Sequence, residues 1–319
     1  MDEVAPEPRT TAHDAGPLTV AAATDVGLRR SGNEDNHVLW VGESGAERDA
    51  LGVLLVVADG MGGANAGEVA SQLTAEVVLA TYREFGANDP IASLQQAIEH
   101  ANTAVYEQAR VNPEQRGMGT TCTVVAIRGM RLWLAHVGDS RAYLIRGETC
   151  RRLTHDHSLV AELVERGHLT ATEALSDPRR NQLTRCVGAM PDVVAEVIAL
   201  EEPLLPGDTV LLCSDGLHGL VSEGEISMIA GDREPAETCD ELIAMARERG
   251  APDNITVLVA RVKKAPAPAP RPAARPDRRV LWIIGFVLLV LFADWAVLYF
   301  TGRQAPRDAS PPAAGAPAR

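Results

Sequence analysis

Short apolar runs alternate with longer stretches of helical periodicity along most of this chain. Residues 51–58 (LGVLLVVA), 121–127, 131–137, 141–145, 209–213 and 255–262 have the length and the β-branched content of buried strands. Ile91, Leu94, Ile98, Ala101 and Val105 fall instead at i, i+3, i+7, i+10 and i+14 behind Asp89 and Pro90, which predicts a capped helix with one buried face. Further helices are predicted over 66–85, over 159–166 between the Ser158 cap and Gly167, and over 235–249 before Gly250. Gly147 and the Pro206-Gly207-Asp208 turn separate closely spaced strands, so hairpins outnumber parallel crossovers.

The pattern changes after residue 262. Residues 265–277 (APAPAPRPAARPD) hold five prolines and read as a semi-rigid spacer. Residues 280–300 (VLWIIGFVLLVLFADWAVLYF) carry one charge, Asp294, and are long enough as a helix to span a hydrocarbon core of about 30 Å. Six Lys/Arg precede this stretch from residue 263 on and three follow it, so the expectation is a single-pass helix in the cell membrane with the large domain cytoplasmic. The acidic, Pro-containing N-terminus has no basic start and no apolar core, and predicts no signal peptide. The expected organisation is an unstructured segment 1–19, a large domain 20–262, a Pro/Ala-rich linker 263–279, the membrane helix 280–300 and an unstructured tail 301–319.

The net charge of −13 understates the acidity of the large domain. Residues 263–319 hold nine Lys/Arg and three acids, leaving 21 and 40 in residues 1–262, a net of −19. Such a domain repels phosphate backbones, which excludes nucleic acid as a partner. Five scattered cysteines without CxxC spacing argue against a disulfide framework and against structural zinc, and fit a reducing compartment.

The positions of the acids carry the chemistry. Asp59 follows LLVVA, Asp139 follows LAHVG, Asp215 follows VLLCS, and Asp253 stands just before ITVLVARV. In an antiparallel sheet the end of one strand lies beside the start of its neighbour, so Asp59, Asp215 and Asp253 can meet on one rim. Converging carboxylates with a nearby carbonyl suit a hard, six-coordinate Mg²⁺ or Mn²⁺, whereas zinc calls for His or Cys. Each of these residues taken singly also fits an ordinary turn.

The local wording Arg30-Ser-Gly-Asn-Glu-Asp35, Asp59-Gly-Met-Gly-Gly63, Gly119-Thr-Thr121, Gly138-Asp-Ser-Arg141, Ser214-Asp-Gly216 and Pro252-Asp-Asn254 resembles, in this order, the metal-dependent protein phosphatases of the type 2C class, particularly their bacterial serine/threonine branch. The resemblance covers residues 20–262. It implies an α+β fold, an αββα sandwich of two antiparallel sheets flanked by helix pairs, with a two-metal site on one edge. It also implies a phosphoserine/phosphothreonine phosphatase in which a metal-bridging hydroxide attacks phosphorus. The implied partners are phosphorylated proteins, among them a serine/threonine kinase and its substrates.

By this resemblance Asp59 bridges two Mn²⁺ or Mg²⁺ ions, Gly60 offers its carbonyl, and Asp215 and Asp253 complete the ligand set. Glu34 resembles a ligand acting directly or through water, Asp35 an acceptor behind it that orients this water, and Asp139 a ligand of a weaker third ion. Asp139 also fits a turn residue held by Arg141. Arg30 matches the arginine that binds substrate phosphate, a task suited to a guanidinium fork. The stretch between residues 153 and 209 resembles the family's mobile flap, with a capping box at Thr170 and Glu173 and with Ser176 near the third ion in some flap positions. Met61 stands where animal members carry a histidine that serves as general acid; a thioether cannot donate a proton.

Three competing readings are weaker. Cys122 and Arg128 have the C-x5-R spacing of thiolate phosphatases, but TVVAI between them is strand-like and lacks the glycines of a phosphate-cradling loop. A catalytically dead binding module would have lost metal ligands, and here they are present. His155-x-His157 has no third ligand nearby and reads as a solvated loop, while His136 reads as a structural histidine on a strand face.

Overall fold

Two antiparallel sheets stacked face to face make up the first of the chain's two units, Met1–Ala265; the second is Pro266–Arg319. This computed structural model describes residues 10–62 and 66–263, and also 289, 291–293, 295–297 and 299. One sheet has the spatial order β1 (Thr11–Ala15), β2 (Leu18–Asp25), β12 (Ile255–Val262), β11 (Thr209–Cys213), β8 (Arg141–Arg146), β9 (Thr149–Arg152). The other runs β10 (Glu196–Ala199), β7 (Arg131–Val137), β6 (Cys122–Arg128), β4 (Val53–Met61), β3 (Asp35–Val41), with the short β5 (Gly119–Thr120) against the end of β4.

Strand β4 shows why its run is apolar without alternation. Leu55 and Val57 point into the gap between the sheets, where they join Val125, Leu134, Leu212 and Leu258. Leu54 and Val56 point the other way, onto helices α2 (Ala66–Phe85) and α3 (Pro90–Val111). With both faces covered, each such side chain contributes about 1.5–3 kcal/mol of burial. On the far side, Leu211, Cys213, Val257 and Val259 pack against α7 (Glu223–Asp232) and α8 (Pro235–Glu248). Three apolar layers therefore separate helices, sheet, sheet and helices, which is the expected αββα sandwich.

Several elements differ from the sequence expectation. Thr11–Ala15, inside the segment expected to be unstructured, pairs with Leu18–Ala22 through a turn at Gly16, whose φ of 71° suits glycine. Strand β2 (LTVAAATD) has little β propensity, yet it pairs with all eight residues of β12; the neighbouring strand supplies what composition does not. Helix α1 (Gly45–Leu51) takes up Leu51, so β4 begins two residues later than predicted and runs on through Met61.

The C-terminal membrane helix is corrected. Among the described residues no helix is long and apolar enough to cross a membrane. A spanning helix needs about 20 continuous apolar residues, and the described positions within 280–300 are helical at 289, 291–293, 295–297 and 299. The rest of that stretch, Asp294 included, and the linker from residue 264 on lie outside the described residues.

Candidate metal centre

One edge of the sandwich collects the chemistry because five chain segments start, cross or end there. Strand β4 of one sheet carries Asp59 two residues before its end at Met61, while β11 of the other ends just before Asp215, and β12 begins just after Asp253. Cys213 and Val257 are register partners, which sets those last two positions side by side. The chain also changes sheets twice at this edge, between β2 and β3 through Arg30 and Glu34, and between β7 and β8 through Gly138 and Asp139. Arg30, Glu34, Asp59, Gly60, Asp139, Asp215 and Asp253 accordingly line one cavity of about 460 Å³, with Met61 and Thr121 in its wall. Asp35 lies beneath it as the cross-strand partner of Asp59.

Each position is held by identifiable bonds. The Asp59 amide donates to Thr121 Oγ1 at 2.9 Å, and the Asp59 carbonyl accepts from the Thr121 amide at 2.9 Å. The Gly60 amide donates to the Glu34 carbonyl at 3.1 Å, and a Cβ on Gly60 would strike the Gly67 carbonyl at the start of α2. Glycine is required there by close backbone packing. Asp35 Oδ2 accepts from Ser214 Oγ and Thr256 Oγ1, both at 2.7 Å, so this buried carboxylate ties β3 to the opposite sheet. Arg30 Nη2 donates to Asp253 Oδ2 at 2.8 Å, and Arg30 Nη1 lies 3.4 Å from Glu34 Oε2. Asp139 is not held by Arg141, whose guanidinium instead pairs with Asp156 at 2.6 Å.

Electrostatically the cavity is a set of carboxylates short of a counter-charge. Burial pushes Asp59 well above its ordinary value, and the charges of Asp35, Asp215 and Asp139 push it further. Burial and Asp215 raise Asp139 to about 8; burial and Asp253 raise Asp215 to about 6, although a hydrogen bond from Asp59 favours its ionised form. Asp35 rises to about 7 by burial, against its two hydroxyl donors. Carboxylates this crowded keep protons until a cation replaces them. The donors are all oxygen, carboxylates with one backbone carbonyl, which fits a hard cation. Among the described residues no three His, Cys, Asp or Glu side chains form a group that could hold a metal ion on their own. Mg²⁺ and Mn²⁺ sites of this type keep several waters and use one or two carboxylates per ion, so a hydrated ion needs no such three-ligand group.

Other sequence-selected residues fall elsewhere. Ser176, at the end of α5 (Ala171–Ser176), donates to the Glu173 carbonyl at 3.2 Å and does not line the cavity; Asn181 and Leu183 are the flap residues that do. The Cys122 thiol is buried on a strand and pushed up to about 12, and Arg128 donates to the carbonyls of Ala50 and Ala87, so the C-x5-R spacing builds no phosphate loop. His136 is buried and bonded to Thr123 Oγ1 at 2.8 Å, as a structural histidine should be. The solvated-loop reading holds for His155, exposed and paired with Glu196, but His157 is only 3% exposed and rests on the His136 ring.

Sequence reasoning missed the residue that organises the loop carrying Arg30 and Glu34. Asn254 donates from Nδ2 to the carbonyls of Val26 and Gly32 and accepts at Oδ1 from the Glu34 amide, with bonds of 2.8 to 3.0 Å. It thus shapes the loop carrying Arg30 and Glu34 from the residue next to Asp253. An asparagine with both donor and acceptor capacity after the last carboxylate was visible, but its partners are about 220 positions away.

The comparisons with known proteins agree with this architecture. The protein phosphatase 2C profile matches residues 31–258. Serine/threonine protein phosphatase PstP of Mycobacterium tuberculosis is 39% identical over 245 residues, covering 77% of this chain and 45% of that protein. The chain thus spans less than half the length of that relative. Serine/threonine phosphatase stp of Listeria innocua is 36% identical over 241 residues, covering 74% of this chain and 92% of that protein. The crystal structure of the PstP catalytic domain in complex with two manganese ions superposes with a TM-score of 0.67 at 37% identity, over 77% of this chain and 99% of that one. The chain belongs to the protein phosphatase 2C family.

Proposed function

We propose that this chain is a metal-dependent protein serine/threonine phosphatase acting on phosphoserine and phosphothreonine. The observation carrying this reading is the cavity in which Arg30 faces Glu34 and the mutually repelling carboxylates of Asp59, Asp139, Asp215 and Asp253. Two Mn²⁺ or Mg²⁺ ions, when bound, supply the Lewis acidity that makes water a nucleophile at neutral pH. Asp59, the Gly60 carbonyl, Asp215, Asp253 and Glu34 are the groups to hold them, and Asp139 is the ligand for a weaker third. Arg30, at 46% side-chain exposure, exchanges Asp253 for a substrate phosphate and binds it through two N–H groups. Asp35 holds the rim together through Ser214 and Thr256. Its implied role behind Glu34, orienting a water, stays part of the proposal.

The substrates are phosphorylated proteins, with a serine/threonine kinase and its targets as the natural set. Five free cysteines support a working place in a reducing compartment, the cytoplasm. The test is dephosphorylation of a phosphopeptide panel by the full chain with Mn²⁺, Mg²⁺ or EDTA. Release of phosphate from phosphothreonine and phosphoserine peptides with either metal, and none with EDTA, is expected. Undiminished activity in EDTA would overturn the reading.

A further inference from the structure

The carboxylate of Asp139 has no side-chain partner among the described residues; its hydrogen bond is to its own backbone amide. Its direction therefore depends on how the Gly138–Asp139 peptide is held. Gly138 has φ +110°, and a Cβ there would come within 2.6 Å of the Thr121 side chain, so the turn has no side chain of its own to fix it. Two histidines from different elements take this role. The His157 amide donates to the Gly138 carbonyl at 2.7 Å, while the Gly138 amide donates to His157 Nδ1 at 3.1 Å, a closed pair of bonds. From another element, His218 Nε2–H donates to the Asp139 carbonyl at 3.0 Å.

Each histidine sits where a second part of the site begins. His157 is the root of the flap: Ser158 caps α4 (Leu159–Glu165), and the chain returns to the same residue when the Thr184 amide donates to the His157 carbonyl at 2.8 Å. Ser158 and Leu183 form a bridge beside it. Its ring is fixed by the His136 ring, with centroids 4.8 Å apart, and Nε2 points toward Glu196 at 3.9 Å without a hydrogen bond. His218 ends the short helix α6 (Asp215–His218), whose first residue is Asp215.

We propose that His157 and His218 are positioning residues that clamp the backbone of Gly138 and Asp139 from two different elements, His157 at Gly138 and His218 at the Asp139 carbonyl, so that the flap and the Asp215 helix jointly aim the Asp139 carboxylate at its ion. The proposal rests on the reading of Asp139 as ligand of the weaker third ion.

The two histidines use different ring nitrogens, and this gives a crossed test. Asparagine at 157 places Oδ1 where Nδ1 accepts, and glutamine reaches past it; at 218 glutamine reaches the Nε2 position as a donor, and asparagine falls short. The full chain, stripped of metal, is titrated with Mn²⁺ by calorimetry. The weakest ion is expected to bind about tenfold more weakly in His157→Gln and His218→Asn, and within about twofold of the parent in His157→Asn and His218→Gln. Equal affinity in all four, or a loss ordered by side-chain size, overturns the clamp. Asp139→Asn is measured alongside: if it leaves the weakest ion unchanged, or if the parent binds only two ions, the reading of Asp139 itself fails. Loss in Asp139→Asn with no change in the histidine variants overturns the clamp alone. Exchange of the Gly138 amide in the metal-free proteins is a second measure; it should be faster in His157→Gln than in His157→Asn, and equal rates count against the proposal.

Discussion

Arg30 is bonded to Asp253 at 2.8 Å, so the cation proposed to bind substrate phosphate and a carboxylate proposed to bind metal neutralise one another across the mouth of the cavity. Removing the arginine should act in opposite directions on the two ligands. Arg30→Ala is expected to raise KM for a phosphopeptide by about 10- to 100-fold, as loss of a charge-assisted pair does, and to lower the Mn²⁺ concentration needed for half-maximal activity. Arg30→Lys should recover little of KM, because an ammonium cannot make the forked contact. Steady-state kinetics at a series of Mn²⁺ concentrations check both; a parallel rise in KM and in metal requirement would contradict the exchange.

Asp59→Asn and Asp215→Asn should each lower kcat by at least about a hundredfold, because a ligand charge is lost from the metal pair. The same changes should raise the melting temperature of the metal-free protein, since they remove charges that burial and their neighbours disfavour. Full activity of Asp59→Asn at micromolar metal would sink the assignment.

The metal-free protein should lose stability as pH rises. Asp35, Asp139 and Asp215 have folded values of about 7, 8 and 6 against an ordinary 3.8, so the native state binds more protons than the unfolded chain between those limits. Stability from these groups is fully present below about pH 4 and drains away through pH 6 to 8. Saturating Mn²⁺ should reverse the slope, because binding then requires the ionised forms. Melting temperatures from pH 4 to 9, with EDTA or with Mn²⁺, decide it; identical slopes in both would refute it.

Met61 lies in the cavity wall at the end of β4, paired with Gly119. With no proton donor there, rates on aryl phosphates should depend steeply on leaving-group pKa, and Met61→His should flatten that dependence. Equally shallow slopes in both proteins would mean that another group is the acid.

Asn254→Ala leaves the Glu34 amide and two carbonyls without their partner, at a cost of about 1–3 kcal/mol. Because that loop carries Arg30, KM should rise more than kcat falls. Thermal melts and phosphopeptide kinetics separate the two effects; a change in stability with unaltered KM would confine Asn254 to the fold.

Much of this site could be read in one dimension because its residues stand at strand ends. Asp59, Asp215 and Asp253 are marked by the apolar runs beside them; antiparallel pairing of β11 with β12 brings Asp215 and Asp253 to one rim, while Asp59 stands on the other sheet and joins them only because the two sheets stack. The helix that starts at Pro90 behind the Asp89 cap and the one over 235–248 before Gly250 were equally legible, since periodicity and stop signals are local. Strand β2 was not, because Ala-rich LTVAAATD becomes a strand only when β12 pairs with it. Nor was the partner of Arg141, which turned out to be Asp156, or the burial of His157 between a strand histidine and a flap. The bonds from Asn254 to the Arg30 loop and from His218 to Asp139 join residues 79 to 228 positions apart. Hydrogen bonds over such separations leave no periodicity in the chain; they exist only once two sheets have stacked and placed their loops on the same edge.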